Sequence, residues 1–316
     1  MRLLFKNGPL FYAEFNIRLL LILLFRKAGL LVSNDLDTLI PNWVSHKIKR
    51  IPLVYDTHEY FTAVPELVSR PHVQAIWKAI EKRIFPYLKT VITVNESIAR
   101  QYYTEYNVRC HIVRNIGSHK RVAQLLDRNT LGLPPGKLII LQGNGINIQR
   151  GAEEAVEAMK WVDNATMVIV GDGDVVPQLK QQVKLQNLES RVLFIPRQPP
   201  DRLTHYTLHA SIGLTLDKDT NMNYHFSLPN KLFDYIHAGV PVLASKLPEI
   251  QRIVAHYGIG DFIETHDPEH IAQKINGMFA NVEAMHNFRE ALTKAASELT
   301  WENEEKVLLA IFEKYV

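Results

Sequence analysis

The sequence predicts an α/β protein built from two doubly wound parallel sheets. Short β-branched runs alternate with helix-period segments along most of the chain, and each run ends in a glycine or polar turn. A length of 316 residues, 47% of them apolar, is enough for two cored domains.

In the first part, "IPLVYD" (51–56) and "TVITV" (90–94) read as buried parallel strands. Between them a helix is expected over 71–88, with Val73, Ile76, Trp77, Ile80 and Ile84 on its apolar face. "HIVRN" (111–115) supplies another short strand. "DRNTLGLPPGK" (127–137) is dense in turn formers and is expected to be the domain linker. The alternation then repeats more cleanly. Strands are expected at 138–143, 166–171, 192–196, 212–216 and 240–244, with helices at 151–161, 175–187, 201–209 and 230–238. The tail 267–316 reads as helical. The expected domains are 1–125, joined by a C-terminal helix over 301–316, and 126–300. No short-period repeat or low-complexity tract is present.

Charge is unevenly distributed. Residues 1–120 hold 17 Lys and Arg against 9 Asp and Glu, so +8, and the remainder carries −5. A basic half suggests an anionic partner, or else ordinary surface variation. The single cysteine, Cys110, excludes an internal disulfide and fits a reducing, cytoplasmic setting. The apolar run Leu19–Phe25, flanked by Arg18, Arg26 and Lys27, is too short to span a bilayer. It is expected to be a buried helix, the alternative being an interfacial one on anionic lipid.

Ligands of doubly wound sheets sit beyond the carboxyl ends of strands, so two such units are expected to face one another across a cleft. Four strand-to-helix turns stand out. "LQGNGINIQRGAEEAVEA" (141–158) places Gly143 and Gly145 after a strand and Arg150-Gly151 at a helix start. Glycines admit backbone N–H groups to an anion, and a helix N-terminus favours negative charge. "VGDGDV" (170–175) repeats the pattern at Gly171 and Gly173. The alternative at the first is a plain tight turn with a surface arginine; the second, lacking the third glycine, reads first as a structural turn, with a supporting role near a ligand as its alternative. In "SLPNKLFDYIHAGVPVLAS" (227–245), Pro229 opens a helix and Gly239 closes it. Lys231 and Asp234, three apart near its start, are either a surface ion pair or a ligand pair. "LVYDTHEYF" (53–61) runs a buried strand into Asp56, His58 and Glu59. A histidine there is placed for proton or hydrogen-bond work, although most of the 13 histidines must be structural.

Other chemistries lack their patterns. Ile148 stands where a dinucleotide fingerprint needs its third glycine, and no Walker lysine pattern occurs. Asp-x-Asp pairs at 35/37, 172/174 and 217/219 match chance frequency and are not read as a metal site. No nucleophile elbow or Cys/His dyad is present.

"YDTHEYF", "ITVNESIA", "VRNIG", "QGNGINIQRG", "VGDGD", "LPNKLFDYIHAGVPVLAS" and "TWENEE" occur in an order and spacing that resembles the retaining GT-B glycosyltransferases of family 4. That family builds bacterial surface polysaccharides and glycolipids of the cell envelope. The similarity runs from about Asn34 to the end. It implies two Rossmann-like domains, the second binding a nucleotide sugar (UDP- or GDP-linked) and the first an acceptor. It implies transfer with retention and no metal or cofactor. His58, Arg150 and Lys231 match catalytic positions: the histidine of the N-terminal domain, the basic residue on the diphosphate and a second phosphate-facing cation. Donor contacts are implied at Gly143, Asn144, Gly145, Gly171, Gly173, Ile195, Asn223, Ser227, Leu228, Pro229, Asn230 and Asp234. Asp234 matches a ribose-binding carboxylate.

The chain departs from the pattern in three places. The first acid of E-x7-E would fall at Phe226, so sugar recognition shifts to Asn223, Tyr224 or Ser227. Asn144 stands where a basic residue often follows the glycine. Only about 30 residues precede "LLVSNDLDTL" (30–39), where the resembled family has a first strand and a glycine-rich loop, so the acceptor-side domain is expected to be shortened or the chain incomplete. The expected acceptor is a saccharide, lipid-linked saccharide or glycolipid at the inner membrane face. Two alternatives stand beside transfer: a non-catalytic sugar-nucleotide-binding homologue, and a nucleotide-sugar epimerase on the same fold.

Overall fold

The computed structural model describes residues 3–118, 122–143 and 145–315. The chain divides into two compact units. One comprises Met1–Asn115, Asn221–Phe226 and Glu304–Val316; the other comprises Ile116–Thr220 and Ser227–Asn303.

Among the described residues, the first unit holds four strands: β1 (Leu31–Asn34), β2 (Leu53–Thr57), β3 (Thr90–Thr93) and β4 (His111–Ile112). They lie in that order and all pair in parallel. Central β2 and β3 are buried almost throughout, as continuous apolar runs require when both sheet faces are covered. Edge strand β1 alternates buried and exposed. The expected helix appears as Pro71–Ile84, followed by a 3-10 turn at Phe85–Tyr87. Its Trp77 and Ile84 join an aromatic core in which Phe85 stacks on Tyr102 at 4.4 Å and meets Tyr55 edge-on at 5.6 Å. Asn95 caps the helix Glu96–Tyr106 by accepting from Ile98 N at 2.9 Å.

In the second unit the described strands are β5 (Lys137–Gly143), β6 (Ala165–Gly171), β7 (Val192–Ile195), β8 (Ile212–Thr215), β9 (Val242–Ser245) and β10 (Gly260–Ile263). Their order is β10-β9-β8-β5-β6-β7, again all parallel. The chain winds one way from β5 through β7 and the other way from β8 through β10. The switch point therefore lies between β5 and β8, where doubly wound sheets hold their ligands.

Two expectations change. The Leu19–Phe25 run belongs to an 18-residue helix, Gly8–Phe25, and none of its described residues is buried. It is apolar all round rather than striped, so no single face carries its apolar residues inward. Helix Leu39–Lys49 touches one side of it, with Lys49 Nζ donating to Leu23 O at 2.8 Å and to Arg26 O. At its full length it is long and apolar enough to cross a membrane. The 127–137 tract is not a linker but lies within the second unit. Its turn formers cap a helical turn, Arg128–Leu131. Asp127 accepts from Thr130 N at 2.8 Å, Gly132 closes the end, and Leu131 and Leu133 enter the core.

Glu81 is wholly buried beneath the aromatic core, accepting from Tyr106 Oη at 2.7 Å and Thr62 Oγ1 at 3.4 Å. Burial pushes its carboxyl from 4.5 up to about 7. The folded state thus holds this proton more tightly than the unfolded chain does. The stability it contributes is complete below the unfolded value and is lost as pH rises through about 7, roughly 3 kcal/mol in all. Denaturant unfolding across that window should show the decline, and Glu81→Gln should flatten it. An unchanged slope in the variant would place the titration on another group.

Candidate functional site

At the switch point of the second unit, the turns leaving β5 and β8 touch. Gly151 has φ of 72°, and a Cβ on it would lie 2.3 Å from Leu216 O. Only a residue without a side chain permits that approach. Backbone and side-chain bonds hold the two turns together: Lys218 N donates to Gln149 O at 2.9 Å, and Thr220 Oγ1 to Gln149 Oε1 at 2.6 Å. Arg150 is thereby set beside Asp217, with its Nη1 3.5 Å from Oδ2.

Lys231 reaches the same carboxylate from the helix Asn230–His237, its Nζ 3.5 Å from Asp217 Oδ1. Pro229 caps that helix, Leu232, Phe233 and Ile236 bury one face, and Gly239 follows its end with φ of 67°. The Tyr235 ring fills the space a side chain at Gly213 would need, so the helix lies close on β8. Tyr235 Oη donates to Leu214 O at 3.2 Å and Ile140 O at 3.3 Å. Asp217 has no solvent exposure, the Lys231 side chain has 11% and that of Arg150 30%. Burial lowers the Lys231 pKa; the Asp217 charge opposes the shift and the Arg150 charge adds to it.

Asp234, one turn on, is held differently. Gln142 Nε2 donates to its Oδ2 at 2.8 Å, while Gln142 Oε1 accepts from Thr207 Oγ1 at 2.7 Å. Burial pushes the Asp234 carboxyl up to about 6, and the amide bond opposes this. The described partner of Lys231 is thus Asp217 on another strand end, which removes the reading of Lys231 and Asp234 as a surface pair.

The glycine turns close over the ends of β5 and β6. Gly143 and Gly171 are direct partners, and Gly171, with φ of 140°, leaves no room for a Cβ against Gly143 O. Ile146 N donates to Asp172 O at 3.0 Å, and Gly173 sits against the Ile146 backbone. Gly145 lies in the same turn, while Asn144 lies outside the described residues. Ile195 ends β7 beside Val170. Ser227, Leu228, Pro229 and Asn230 lead into the Lys231 helix, and the buried Ser227 hydroxyl has no hydrogen-bond partner among the described residues.

Two predicted residues belong to the first unit. His58 follows β2, and its backbone N donates to Asp35 Oδ1 at 3.1 Å. Its ring lies 3.5 Å from Asp35 Oδ2 and 3.7 Å from Asp56 Oδ2. The hydrogen bond with Asp35 raises the His58 pKa, against the effect of burial. Asn223 accepts from Tyr60 N and donates to Glu59 Oε2, both at 3.2 Å. Phe226 is buried against Tyr60, and its carbonyl accepts from Asn95 Nδ2 at 2.7 Å.

Sequence reasoning missed Asp217, Asp35 and Gln142. The two aspartates stood in Asp-x-Asp pairs set aside as chance; the usable signal was their position just past an apolar strand. Gln142 carried a weaker one, as the polar residue ending "LIILQ". Among the described residues, no group of three or more His, Cys, Asp or Glu side chains is arranged to hold a metal ion.

Gly151→Ala should cost roughly 2–5 kcal/mol, combining left-handed strain with a forced shift of Leu216. Chemical denaturation would check it; a stability equal to the parent would mean that the two turns are not in contact.

A family model described as glycosyl transferases group 1 matches residues 123–295. A search of curated proteins gives no significant match. Among solved structures, the chain is similar to a glycosyltransferase from Rickettsia africae ESF-5, with TM-score 0.77 and 13% identity over 100% of this chain and 84% of that one. It is also similar to HepE of Anabaena in complex with UDP-glucose, with TM-score 0.76 and 17% identity over 98% and 85%. Sucrose-phosphate synthase from Thermosynechococcus elongatus gives TM-score 0.73 and 17% identity over 97% and 77%. At such identities these structures speak for the fold, the two-sheet α/β architecture of GT-B glycosyltransferases. The family match spans more than half of the sequence, and the chain belongs to the glycosyl transferases group 1 family.

Proposed function

We propose that the protein transfers a hexosyl group from a UDP- or GDP-sugar to a saccharide, lipid-linked saccharide or glycolipid acceptor, with retention and without a metal or other cofactor. The observation that carries this reading is the pair of cations, Arg150 and Lys231, gathered on one buried carboxylate at the switch point of the second sheet. The UDP-glucose complex of the similar Anabaena protein supports a nucleotide sugar as the donor.

In the reaction, the bond between the anomeric carbon and the diphosphate oxygen breaks, and an acceptor hydroxyl oxygen takes its place on the same face. Its proton leaves with the departing phosphate or to solvent. Negative charge grows on the leaving diphosphate, so fixed cations stabilise the transition state more than the ground state. Asp234, oriented by Gln142, offers carboxylate oxygens to the ribose hydroxyls. His58, oriented by Asp35, is the hydrogen-bonding group of the acceptor-side unit.

Arg150→Ala and Lys231→Ala should each lower turnover by roughly 10²-fold or more, with weaker donor binding. Donor titrations on both variants that matched the parent would remove the phosphate assignment.

We place the protein in the cytoplasm, peripheral at the inner membrane face. Helix Gly8–Phe25 exposes Leu10, Ile17, Leu21, Ile22 and Phe25, with Arg26 and Lys27 at its end. An apolar surface with cations beside it suits an anionic bilayer. Flotation with phosphatidylglycerol vesicles at low salt should carry the protein upward, and Ile17→Asp with Leu21→Asp should abolish this. Parent protein left at the bottom would rule the contact out.

A further inference from the structure

Asp217 is an unusual carboxylate for its surroundings. It lies two residues beyond β8, has no solvent exposure, and neither oxygen has a hydrogen-bond partner among the described residues. Each oxygen instead faces a different cation at 3.5 Å, Arg150 on one side and Lys231 on the other. Those cations arrive on separate elements, a turn after β5 and a helix before β9. Left alone, two like charges repel and their long side chains spread into solvent. A buried carboxylate, for its part, is costly unless it is paired.

We propose that Asp217 is a positioning residue of the donor site: its buried carboxylate tethers Arg150 and Lys231 toward one point, so that a single nucleoside diphosphate meets both at once. This rests on the nucleotide-sugar reading above. The diphosphate then binds to side chains that have already lost most of their freedom, which lowers the entropic cost of ordering them. Asp217 touches no substrate and acts only through the two cations. The groups facing Lys231 are Asp217 and Arg150, with opposite effects on its charge, and burial already lowers its pKa. Without the carboxylate, Lys231 gives up its proton at lower pH.

The test is titration of the intact protein with UDP and with GDP by calorimetry, from neutral to alkaline pH. Parent protein that bound neither nucleotide would refute the nucleotide-sugar reading itself, and this proposal with it. With binding established for the parent, Asp217→Asn should bind on the order of tenfold more weakly near neutral pH, the cost of re-ordering two side chains. Its affinity should also fall away at lower pH than the parent's. Asp217→Glu, which keeps the charge, should recover most of both. In an Arg150→Gln, Lys231→Gln background the Asp217→Asn change should have no further effect. Equal or tighter binding by Asp217→Asn, with the parent's pH dependence, would overturn the proposal and leave the donor reading standing. If Asp217→Asn does not fold, Asp217→Glu and the Lys231→Gln variant carry the comparison. A Lys231→Gln variant that kept the parent's alkaline fall-off would count against it.

Discussion

The second unit depends on one contact: the Gly151 backbone resting on the Leu216 carbonyl. A parallel sheet releases all its strands at one end, and at the switch point the chains leaving β5 and β8 turn away from each other. Unless something pins them, their polar residues diverge. Gly151 and Gln149 pin them, and the Tyr235 ring over Gly213 brings the third element alongside. His266 Nε2 also lies 3.0 Å from the same Leu216 carbonyl and 3.2 Å from Ser245 Oγ. Gly151 and His266 thus both approach Leu216 O, one residue before Asp217.

Two buried carboxylates show how partners work against burial. Asp234 has a donated amide hydrogen from Gln142, and burial still pushes it up to about 6. Glu81 has hydroxyl donors and reaches about 7, from a higher starting value and with the Glu105 charge adding to the rise. Desolvation is the largest cause in both, and in both the hydrogen-bond donors oppose it. The same logic runs in reverse at His58, where a neighbouring Asp35 favours the charged ring.

Much of this was legible in the sequence. Strands β5 to β9 announce themselves as β-branched runs, and the Pro229–Gly239 bracket marks its helix because proline and glycine have few other uses there. Arg150 and Lys231 were legible for the same reason: they follow unmistakable punctuation. What the sequence could not convey is pairing across distance. Asp217 lies 67 and 14 residues from its two cations, and its place just past an apolar strand does not say which cations it meets. Asp127 and Gly132 misled in the opposite direction, since capping residues and linker residues are the same types. Helix Gly8–Phe25 misled because composition reports how apolar a segment is but not whether anything covers it.

Phe226 limits how this chain could change. It stands where the glycosyltransferases this sequence resembles often have an acid, yet both halves of the residue are in use. The ring fills part of an aromatic core beside Tyr60, and the carbonyl is held by Asn95. Exchange for glutamate would leave a void in that core and set an unpaired charge within it, each costing several kcal/mol. No single substitution leads back to the family pattern without passing through a damaged fold. Position 226 therefore serves the packing of the first unit.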